Sequence, residues 1–379
     1  MKVVFIQIKG GNYGGVWQVN KIVGEHLIKD GYDVSIVSIR DDHLGIKLEH
    51  DERLKLITIN EKDLWHTHHL DDFKESIKNH HYLELVKRLY ERLLNNFKLK
   101  NDKKKLNKYL DDVNPDYIVT TQYQLLDMLD KKYLNRTFHE QHLSFRESFR
   151  HPATKKTLIK YKDLVTYIWL CEKTKETAIK NGLSNSISLY NAVRFETKER
   201  ADVLNNKKLV TIVRLSIEKR IDKMVNIVNK LFEDKKYSDW TLEIYGDGEE
   251  YENIKKLIKS SQITLMGTTN NPKDVLLSSS INLNTSDYEG FSLSILEASE
   301  CGVPTVTLNF GESVEEEIIN GKTGLIAKDE NDYLEKLKLL MDNQELLEKM
   351  SVNTKKNNER FHIDKIIKEW ERILKPNFK

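Results

Sequence analysis

Residues 282–324 read NLNTSDYEGFSLSILEASECGVPTVTLNFGESVEEEIINGKTG, and this stretch decides the fold. It opens with the apolar and polar alternation of a short strand, and the turn residues SDYEG follow. The spacing then becomes helical. We expect a helix that begins near Phe291 or Ser292 and ends at Gly302, with Pro304 just beyond it. Strand, tight loop and helix in succession indicate one unit of a parallel α/β sheet.

The start of this predicted helix has the properties of an anion site. Unpaired N–H groups and the positive end of the helix dipole attract negative charge, and Gly290 lets a ligand approach the backbone closely. Glu289 precedes the helix and Glu297 lies within it, eight positions later. Because carboxylates accept hydrogen bonds from sugar hydroxyls, we expect Glu297 to bind a ribose and Glu289 to face the group beyond the phosphate. Two surface glutamates beside a core-facing helix are the alternative for an isolated pair at this spacing.

The motif resembles the signature of glycosyltransferase family 4, the retaining sugar transferases of GT-B fold. In that family a Glu-x7-Glu element accompanies an S-x-x-E-G-F run. Here the run extends from Ser286 to Phe291, and the two glutamates are Glu289 and Glu297. The G-V-P and N-G-x-x-G-L elements that follow are similar as well. The resemblance is strongest over residues 208–327. It implies an α/β chain with two Rossmann-like parallel-sheet domains that face a central cleft.

Length and composition are consistent with such a chain. Its 379 residues exceed one ordinary core, and 39% hydrophobic with 32% charged residues are typical of a soluble globular protein. The formal charge of +2 gives no global reason to expect nucleic acid as a partner. Cys171 and Cys301 lie far apart without metal-type spacing, which favours a reducing cytoplasm. MKVVFIQI predicts a first strand rather than a signal peptide, and no apolar run approaches the ~20 residues that cross a bilayer.

The predicted elements divide into two halves of similar size. We predict an N-terminal acceptor-binding domain over residues 1–190, a linker over 191–207 and a nucleotide-sugar-binding domain over 208–360. A final helix within 361–379 is expected to pack back toward the N-terminal domain. The first half opens as strand, glycine loop, helix and strand, but its glycines do not fit G-x-G-x-x-G, which argues against a dehydrogenase.

Two cations follow the first strand of the second half. Arg214 and Lys219 occupy the R-L-x-x-x-K pattern that similar enzymes place at this strand end, and the resemblance implies that both bind the donor's diphosphate. Positioned cations stabilise the negative charge that grows on the β-phosphate as the nucleoside diphosphate leaves. No Asp-x-Asp element stands where a metal-dependent transferase needs one, so we expect no metal and no other cofactor.

The resemblance implies further contacts with the donor. His139, at the end of a predicted strand, is expected to orient the sugar together with Glu289, and His142 of the same H-x-x-H pattern is the second choice. A surface histidine with satisfied hydrogen bonds is the alternative for either. The other expected donor contacts are the backbone of Gly290, Phe291 and Ser292, the glycine loop at Gly14 and Gly15, and Met266 and Gly267 near the nucleobase.

A basic, helical stretch is predicted over residues 74–108. Its end concentrates six lysines against the single Asp102: Lys98, Lys100, Lys103, Lys104, Lys105 and Lys108. A solvated face is one interpretation. Docking of an anionic acceptor polymer, or peripheral contact with the inner face of the membrane, is the other. The histidine-rich pieces at 66–69 and 80–81 lack Cys or carboxylate ligands at settled spacing, so we predict no metal site there.

These observations together predict a retaining glycosyltransferase. It would move a hexose or N-acetylhexosamine from a nucleotide-diphosphate sugar, with a UDP-sugar as first choice, to an acceptor hydroxyl. The resemblance points to a bacterial cell-surface glycan, a teichoic-acid-like polymer or a lipid-linked acceptor. Two alternatives remain open: a non-catalytic or partner-dependent GT-B subunit, and a GT-B nucleotide-sugar epimerase. The retained acidic and basic motif residues favour the transferase.

Overall fold

A computed structural model describes residues 1–10, 15–41, 50–60 and 82–375. Gly14, the histidine-rich pieces at 66–69 and 80–81, and residues 74–81 of the basic stretch lie outside these described residues. The chain divides into two compact units: Met1–Glu140 with Ala153–Tyr167, and Gln141–Pro152 with Ile168–Lys379. The predicted linker, residues 191–207, lies within the second unit.

The first sheet contains seven strands: β1 (Lys2–Gly10), β2 (Asp33–Asp41), β3 (Lys55–Asn60), β4 (Tyr117–Thr120), β5 (Thr137–Gln141), β6 (Thr166–Trp169) and β7 (Ser186–Ser188). They lie in the order β3-β2-β1-β4-β5-β6-β7. Pairing is parallel, with Val3 opposite Val34 on one side and Tyr117 on the other. The associated helices are α1 (Gly15–Lys29), α2 (Tyr82–Val113), α3 (Tyr123–Met128), α4 (Lys131–Leu134), α5 (Phe145–Arg150), α6 (Pro152–Lys160) and α7 (Glu172–Lys180).

The second sheet contains six strands: β8 (Lys208–Ile212), β9 (Thr241–Tyr245), β10 (Ile263–Gly267), β11 (Ile281–Asn284), β12 (Thr305–Leu308) and β13 (Gly324–Ala327). Their order is β10-β9-β8-β11-β12-β13, and their pairing is again parallel. The helices are α8 (Ile221–Leu231), α9 (Tyr251–Leu257), α10 (Pro272–Leu277), α11 (Leu293–Glu300), α12 (Val314–Glu317), α13 (Glu330–Asp342), α14 (Gln344–Asn358) and α15 (Ile363–Ile373). Two parallel sheets with connecting helices confirm the predicted α/β class.

The sequence patterns account for these elements. The apolar run at residues 3–6 of β1 is buried, as expected for a parallel strand covered on both faces. The predicted C-terminal helix is α15, and it buries Ile366, Ile367, Trp370 and Ile373 at helical spacing. Among the helices in the described part of the chain, even the 32-residue α2 is too polar to cross a membrane, and no other qualifies.

The strand order locates the region where a ligand is expected. In the second sheet the order reverses between β8 and β11, which are neighbours although two strands separate them in the chain. Ligands of open parallel sheets bind beyond the carboxyl ends of the strands at such a reversal. The loop after β8 carries Arg214 and Lys219, and the loop after β11 carries Glu289. The fold therefore brings three predicted site residues to one edge of one sheet.

A buried ion pair ties α2 to the first sheet. Arg40 at the end of β2 donates to Asp102 at 2.9 Å, and Asn60 of β3 donates to the other carboxylate oxygen at 3.2 Å. The side chains of Arg40 and Asp102 are 4% and 0% exposed. Asp102, the single acid in the run of lysines, therefore faces inward while lysines on both sides of it face solvent.

Replacing Asp102 should destabilise the first unit. Asp102→Ala leaves the guanidinium of Arg40 buried without its carboxylate, which costs about 3 kcal/mol. We expect a lower midpoint of thermal unfolding by circular dichroism. The matched control is Asp33→Ala, which removes an exposed pair with Lys55 and should cost at most about 1 kcal/mol. Equal losses in the two variants would contradict a structural role for the buried pair.

Candidate active site

The loops after β8 and β11 are joined by hydrogen bonds. The N–H of Asp287 donates to the carbonyl of Glu218 at 2.9 Å. The Thr285 hydroxyl lies 3.1 and 3.0 Å from the carbonyl oxygens of Lys219 and Arg220, to which it donates. Arg220 has the left-handed backbone conformation, with a φ of 49°, and its guanidinium contacts the Asp287 carboxylate at 3.1 Å. The two loops consequently form one rigid edge.

Two glycines allow a third loop to pack against the first. A Cβ on Gly246 would lie 1.8 Å from the carbonyl oxygen of Val213, and one on Gly248 would lie 2.3 Å from that of Leu215. No other residue fits such close approaches between backbones. The N–H groups of Val213 and Leu215 donate to the carbonyls of Tyr245 and Asp247 at 3.0 and 2.9 Å, which extends the strand pairing beyond β8. This pairing fixes the backbone that presents Arg214.

Lys219 and Glu289 form an ion pair at the centre of this edge. Lys219 Nζ lies 2.5 Å from Glu289 Oε1, and the Ser286 hydroxyl donates to the same oxygen at 2.8 Å. The two side chains are 20% and 12% exposed, so the pair is largely shielded from solvent but still partly accessible. The sequence assigned Lys219 to a phosphate and Glu289 to a sugar. The structure places the two groups in contact, where they can serve adjoining parts of one ligand.

Arg214 lies on the open side of the same loop. Its side chain is 67% exposed, and its guanidinium contacts Glu218 at 3.0 Å. Burial raises the pKa of the Glu218 carboxyl, but hydrogen bonds from Ser216 and Arg214 outweigh this effect, so the pKa lies below its usual value. Glu218 is therefore ionised at neutral pH, and its carboxylate pairs with the exposed guanidinium of Arg214.

The two histidines of the H-x-x-H pattern occupy different places. His139 is fully buried in β5, in the first unit, where its Nδ1 lies 2.9 Å from the Thr120 hydroxyl. His142 follows in the second unit and contacts the helix start through its backbone. A Cβ on Gly290 would lie 2.1 Å from the His142 carbonyl oxygen. The glycine of the E-G-F run is thus required because two backbones meet there.

The predicted helix is α11, which begins at Leu293 with Ser292 as its N-cap residue. Phe291 is buried against Tyr190, with ring centroids 5.5 Å apart, so that only its backbone is left at the helix start. The Ser292 N–H donates to Glu317 Oε2 at 3.0 Å. This N–H group is therefore directed into the protein. An anion at the helix start would meet the N–H groups that follow it in the first turn of α11.

The sequence suggested that Glu297 is accessible on the flank of the helix, but the structure buries it. Both of its oxygens pair with Arg194, Oε1 with Nε, and Oε2 with Nη2 at 2.7 Å. The Glu297 side chain is 2% exposed and that of Arg194 is 27% exposed. Burial lowers the pKa of Arg194, but the Glu297 carboxylate more than offsets this, and the pKa is raised overall. A ribose could reach Glu297 only if Arg194 shared or left the carboxylate.

Sequence reasoning also passed over the acidic run at 315–317. Glu316 accepts the N–H groups of Glu172 and Lys173 at 3.0 and 2.9 Å, and so caps the start of α7. Glu317 turns instead to the start of α11. Three consecutive glutamates ahead of N-G-x-x-G were the only signal in the sequence, and the run does not distinguish their partners.

The remaining residues predicted to contact the sugar donor have few distinctive surroundings. Gly15 is the first residue of α1, in the first unit. Met266 is 44% exposed, and Gly267 has a φ of 74° with open space beside it. Within the described ranges, one group of three potential metal ligands has its ligand atoms within 4.8 Å of one another: Glu196, His362 and Asp364. It includes no predicted site residue.

Solved structures with the same arrangement define the class of fold. Staphylococcus aureus TarM, solved with fondaparinux, α-GlcNAc-glycerol and UDP, matches with a TM-score of 0.76 at 16% identity, over 98% of this chain and 99% of that one. The lipopolysaccharide outer core galactosyltransferase WaaB matches with a TM-score of 0.70 at 15% identity, over 98% of both chains. The protein has the GT-B fold.

Sequence comparison identifies the second unit more closely. Residues 194–357 match the family model of the glycosyl transferases group 1, which confirms the predicted resemblance. An uncharacterized glycosyltransferase of Haemophilus influenzae is 28% identical over 383 residues, which cover 98% of this chain and 99% of the relative. The poly(ribitol-phosphate) α-N-acetylglucosaminyltransferase of Staphylococcus aureus is 26% identical over 196 residues, or 50% of this chain and 38% of the relative. These comparisons support a glycosyltransferase.

The Arg194–Glu297 pair should be important for stability. Arg194→Ala leaves a buried carboxylate without its counter-charge, and we expect a loss of about 3 kcal/mol in the free energy of unfolding. The matched control is Arg372→Ala, which removes an exposed pair with Glu369 and should cost at most about 1 kcal/mol. Urea unfolding followed by tryptophan fluorescence measures both. Coincident curves for the two variants would show that the pair contributes no more than a surface contact.

Proposed function

We propose that this protein is a retaining glycosyltransferase that moves a hexose or N-acetylhexosamine from a UDP-sugar to a hydroxyl of a bacterial cell-surface glycan or teichoic-acid-like polymer. The observation that carries the proposal is the contact between Lys219 and Glu289 beside the start of α11, at the strand-order reversal of a group 1 domain. UDP is favoured because it is bound in the TarM structure, and Anabaena HepE was solved with UDP-glucose.

The names of two relatives support the proposed acceptor class. Besides the poly(ribitol-phosphate) enzyme, the poly(glycerol-phosphate) α-glucosyltransferase of Bacillus subtilis is 29% identical over 171 residues, which is 43% of this chain and 25% of that relative. Both names describe transfer to anionic polyol-phosphate polymers. The enzyme would act in the cytoplasm, and a lipid-linked acceptor would bring it to the inner face of the cell membrane.

The proposed chemistry is differential stabilisation of the leaving group. As the bond between the anomeric carbon and the phosphate oxygen breaks, negative charge grows on the diphosphate, and Lys219 and Arg214 stabilise that charge. The acceptor oxygen bonds to the anomeric carbon on the same face, and its proton passes to the departing phosphate. Glu289 orients the sugar through its hydroxyls, and the backbone at Gly290 approaches the phosphate. In this proposal Lys219 and Arg214 neutralise the leaving diphosphate in place of a metal ion.

Slow hydrolysis of donor sugars tests the proposal directly. We expect one donor from a panel of UDP-, GDP- and ADP-sugars to release its nucleoside diphosphate in EDTA. Lys219→Ala and Glu289→Ala should each reduce this release by about 100-fold or more, because each removes a charged group that contacts the reacting ligand. The matched control is Lys322→Ala, an exposed lysine outside the two loops, which should retain full activity.

Other outcomes of the same assay separate the alternatives. Isomerised sugar without nucleotide release indicates an epimerase. Nucleotide binding without turnover, even with polyol-phosphate acceptors, indicates a partner-dependent or non-catalytic subunit. Complete loss of activity in EDTA that manganese restores would contradict metal independence.

The basic end of α2 supports an anionic acceptor. Lys100, Lys104 and Lys108 are exposed and spaced four residues apart, so they line one side of the helix. Lys103 is different because its Nζ donates to the carbonyl of Asp127 at 3.0 Å. We propose that the exposed row attracts a polyanionic polymer or an anionic membrane surface.

Charge reversal tests this role. Lys100→Glu and Lys104→Glu together should lower transfer to a poly(ribitol-phosphate) or membrane-linked acceptor by about tenfold at low salt, and less at high salt. Hydrolysis of the donor in the absence of acceptor should stay unchanged. The matched control is the double change Lys155→Glu and Lys156→Glu on α6. An equal effect on transfer and hydrolysis would argue that the row serves the fold rather than the acceptor.

A further inference from the structure

Glu317 is a buried acid that the proposed chemistry does not use. It is 2% exposed, and its Oε2 accepts the N–H of Ser292 at 3.0 Å. Its Oε1 is buried and has no hydrogen-bond partner within the described part of the chain. The carboxyl group thus has one neutral donor on one oxygen and none on the other, directly behind the loop that starts α11.

Such surroundings favour the neutral acid over the carboxylate. A buried charge is costly unless a counter-charge or several hydrogen bonds compensate it. The flanking Val314 and Ile318 are buried in an apolar cluster with Ile295 and Phe310, which offers no such compensation. The contrast with neighbouring Glu316, which accepts three hydrogen bonds, is clear.

The charged groups around Glu317 act in opposite directions. Burial raises the pKa of Glu317 well above the usual range of a glutamate, and the negative charge of Glu289 raises it further. The Ser292 N–H, the nearby Ser313 hydroxyl and the positive charge of Lys219 lower it, but by less. On its own helix, Glu315 and Glu316 are paired with Lys173 and the start of α7.

We propose that Glu317 is a positioning residue that, as a neutral carboxylic acid, holds Ser292 and thereby sets the first turn of α11 for the donor's diphosphate. This role rests on the proposed function. A neutral acid accepts the Ser292 N–H without placing a full negative charge behind the phosphate site, so the positive end of the helix remains available to the ligand.

The proposal gives donor binding a defined pH dependence. The diphosphate is repelled by an ionised Glu317, so it binds preferentially to the protonated form. As the pH rises above the pKa of Glu317, the protein must take up a proton to bind, and affinity falls by up to about tenfold per pH unit. Below that pKa the group is already neutral and contributes no pH dependence. The loss is therefore confined to the alkaline side.

Calorimetric titration with UDP across about pH 6 to about pH 9.5 tests this role. Glu317→Gln copies the shape and neutrality of the acid. It should bind UDP within about twofold of the wild type at neutral pH and more tightly at alkaline pH, without the proton uptake that the wild type shows in buffers of different ionisation enthalpy. Glu317→Leu removes the acceptor and should weaken binding by about tenfold at every pH.

Glu316→Gln is the matched control. It alters the adjacent glutamate, so it should change thermal stability while the pH dependence of UDP binding stays that of the wild type. If Glu317→Gln weakens binding as much as Glu317→Leu, or keeps the wild-type pH dependence and proton uptake, the inference is wrong. If Glu317→Leu does not fold, the pH dependence and proton uptake of Glu317→Gln still test the inference. A folded wild type that binds none of UDP, GDP and ADP would overturn the proposed function itself.

Discussion

The parallel pairing of β8 with β11 is the constraint on which the candidate site depends. The two strands pair with Leu209 opposite Ile281, so both chains leave the sheet at the same edge. Lys219 and Glu289, 70 residues apart in sequence, are in contact only because these strands are neighbours. The backbone hydrogen bond between the two loops and the close packing at Gly246 make that edge rigid. Preorganised charges of this kind stabilise a transition state without reorganisation at the moment of reaction.

Three glutamates near α11 show how surroundings decide the role of one side chain. Glu289 shares a partly open ion pair with Lys219. Glu297 has both oxygens bound by Arg194 and is closed off from solvent. Glu317 has one N–H donor and lies in an apolar environment. The number and charge of the donors, rather than the residue type, separate a partly open ion pair from a closed ion pair and from a buried acid that has no ion-pair partner.

The sequence predicted the elements far better than the contacts between them. Strand alternation, glycine turns and helical spacing are local, so β1, α11 and α15 could be predicted from short windows. Arg194 and Glu317 could not, because their partners lie 103 and 25 residues away and no local pattern marks either residue. Asp102 is a similar case, since a lysine run conceals an acid that pairs with β2. The roles of Lys219 and Glu289 came from the family resemblance, and their contacts with a donor remain predictions.

The charges at the site set a condition on its ligand. Lys219 already has the carboxylate of Glu289, and Arg214 already has that of Glu218. A ligand therefore exchanges partners with these cations instead of meeting bare charge, and only the difference between the old and new contacts contributes to affinity. An uncharged sugar offers the cations nothing in return for the carboxylates. A diphosphate carries more negative charge than either carboxylate. Under the proposed function, the charge and the sugar of the donor belong to one molecule, so the Glu289 carboxylate that it releases would meet the sugar hydroxyls of the same ligand.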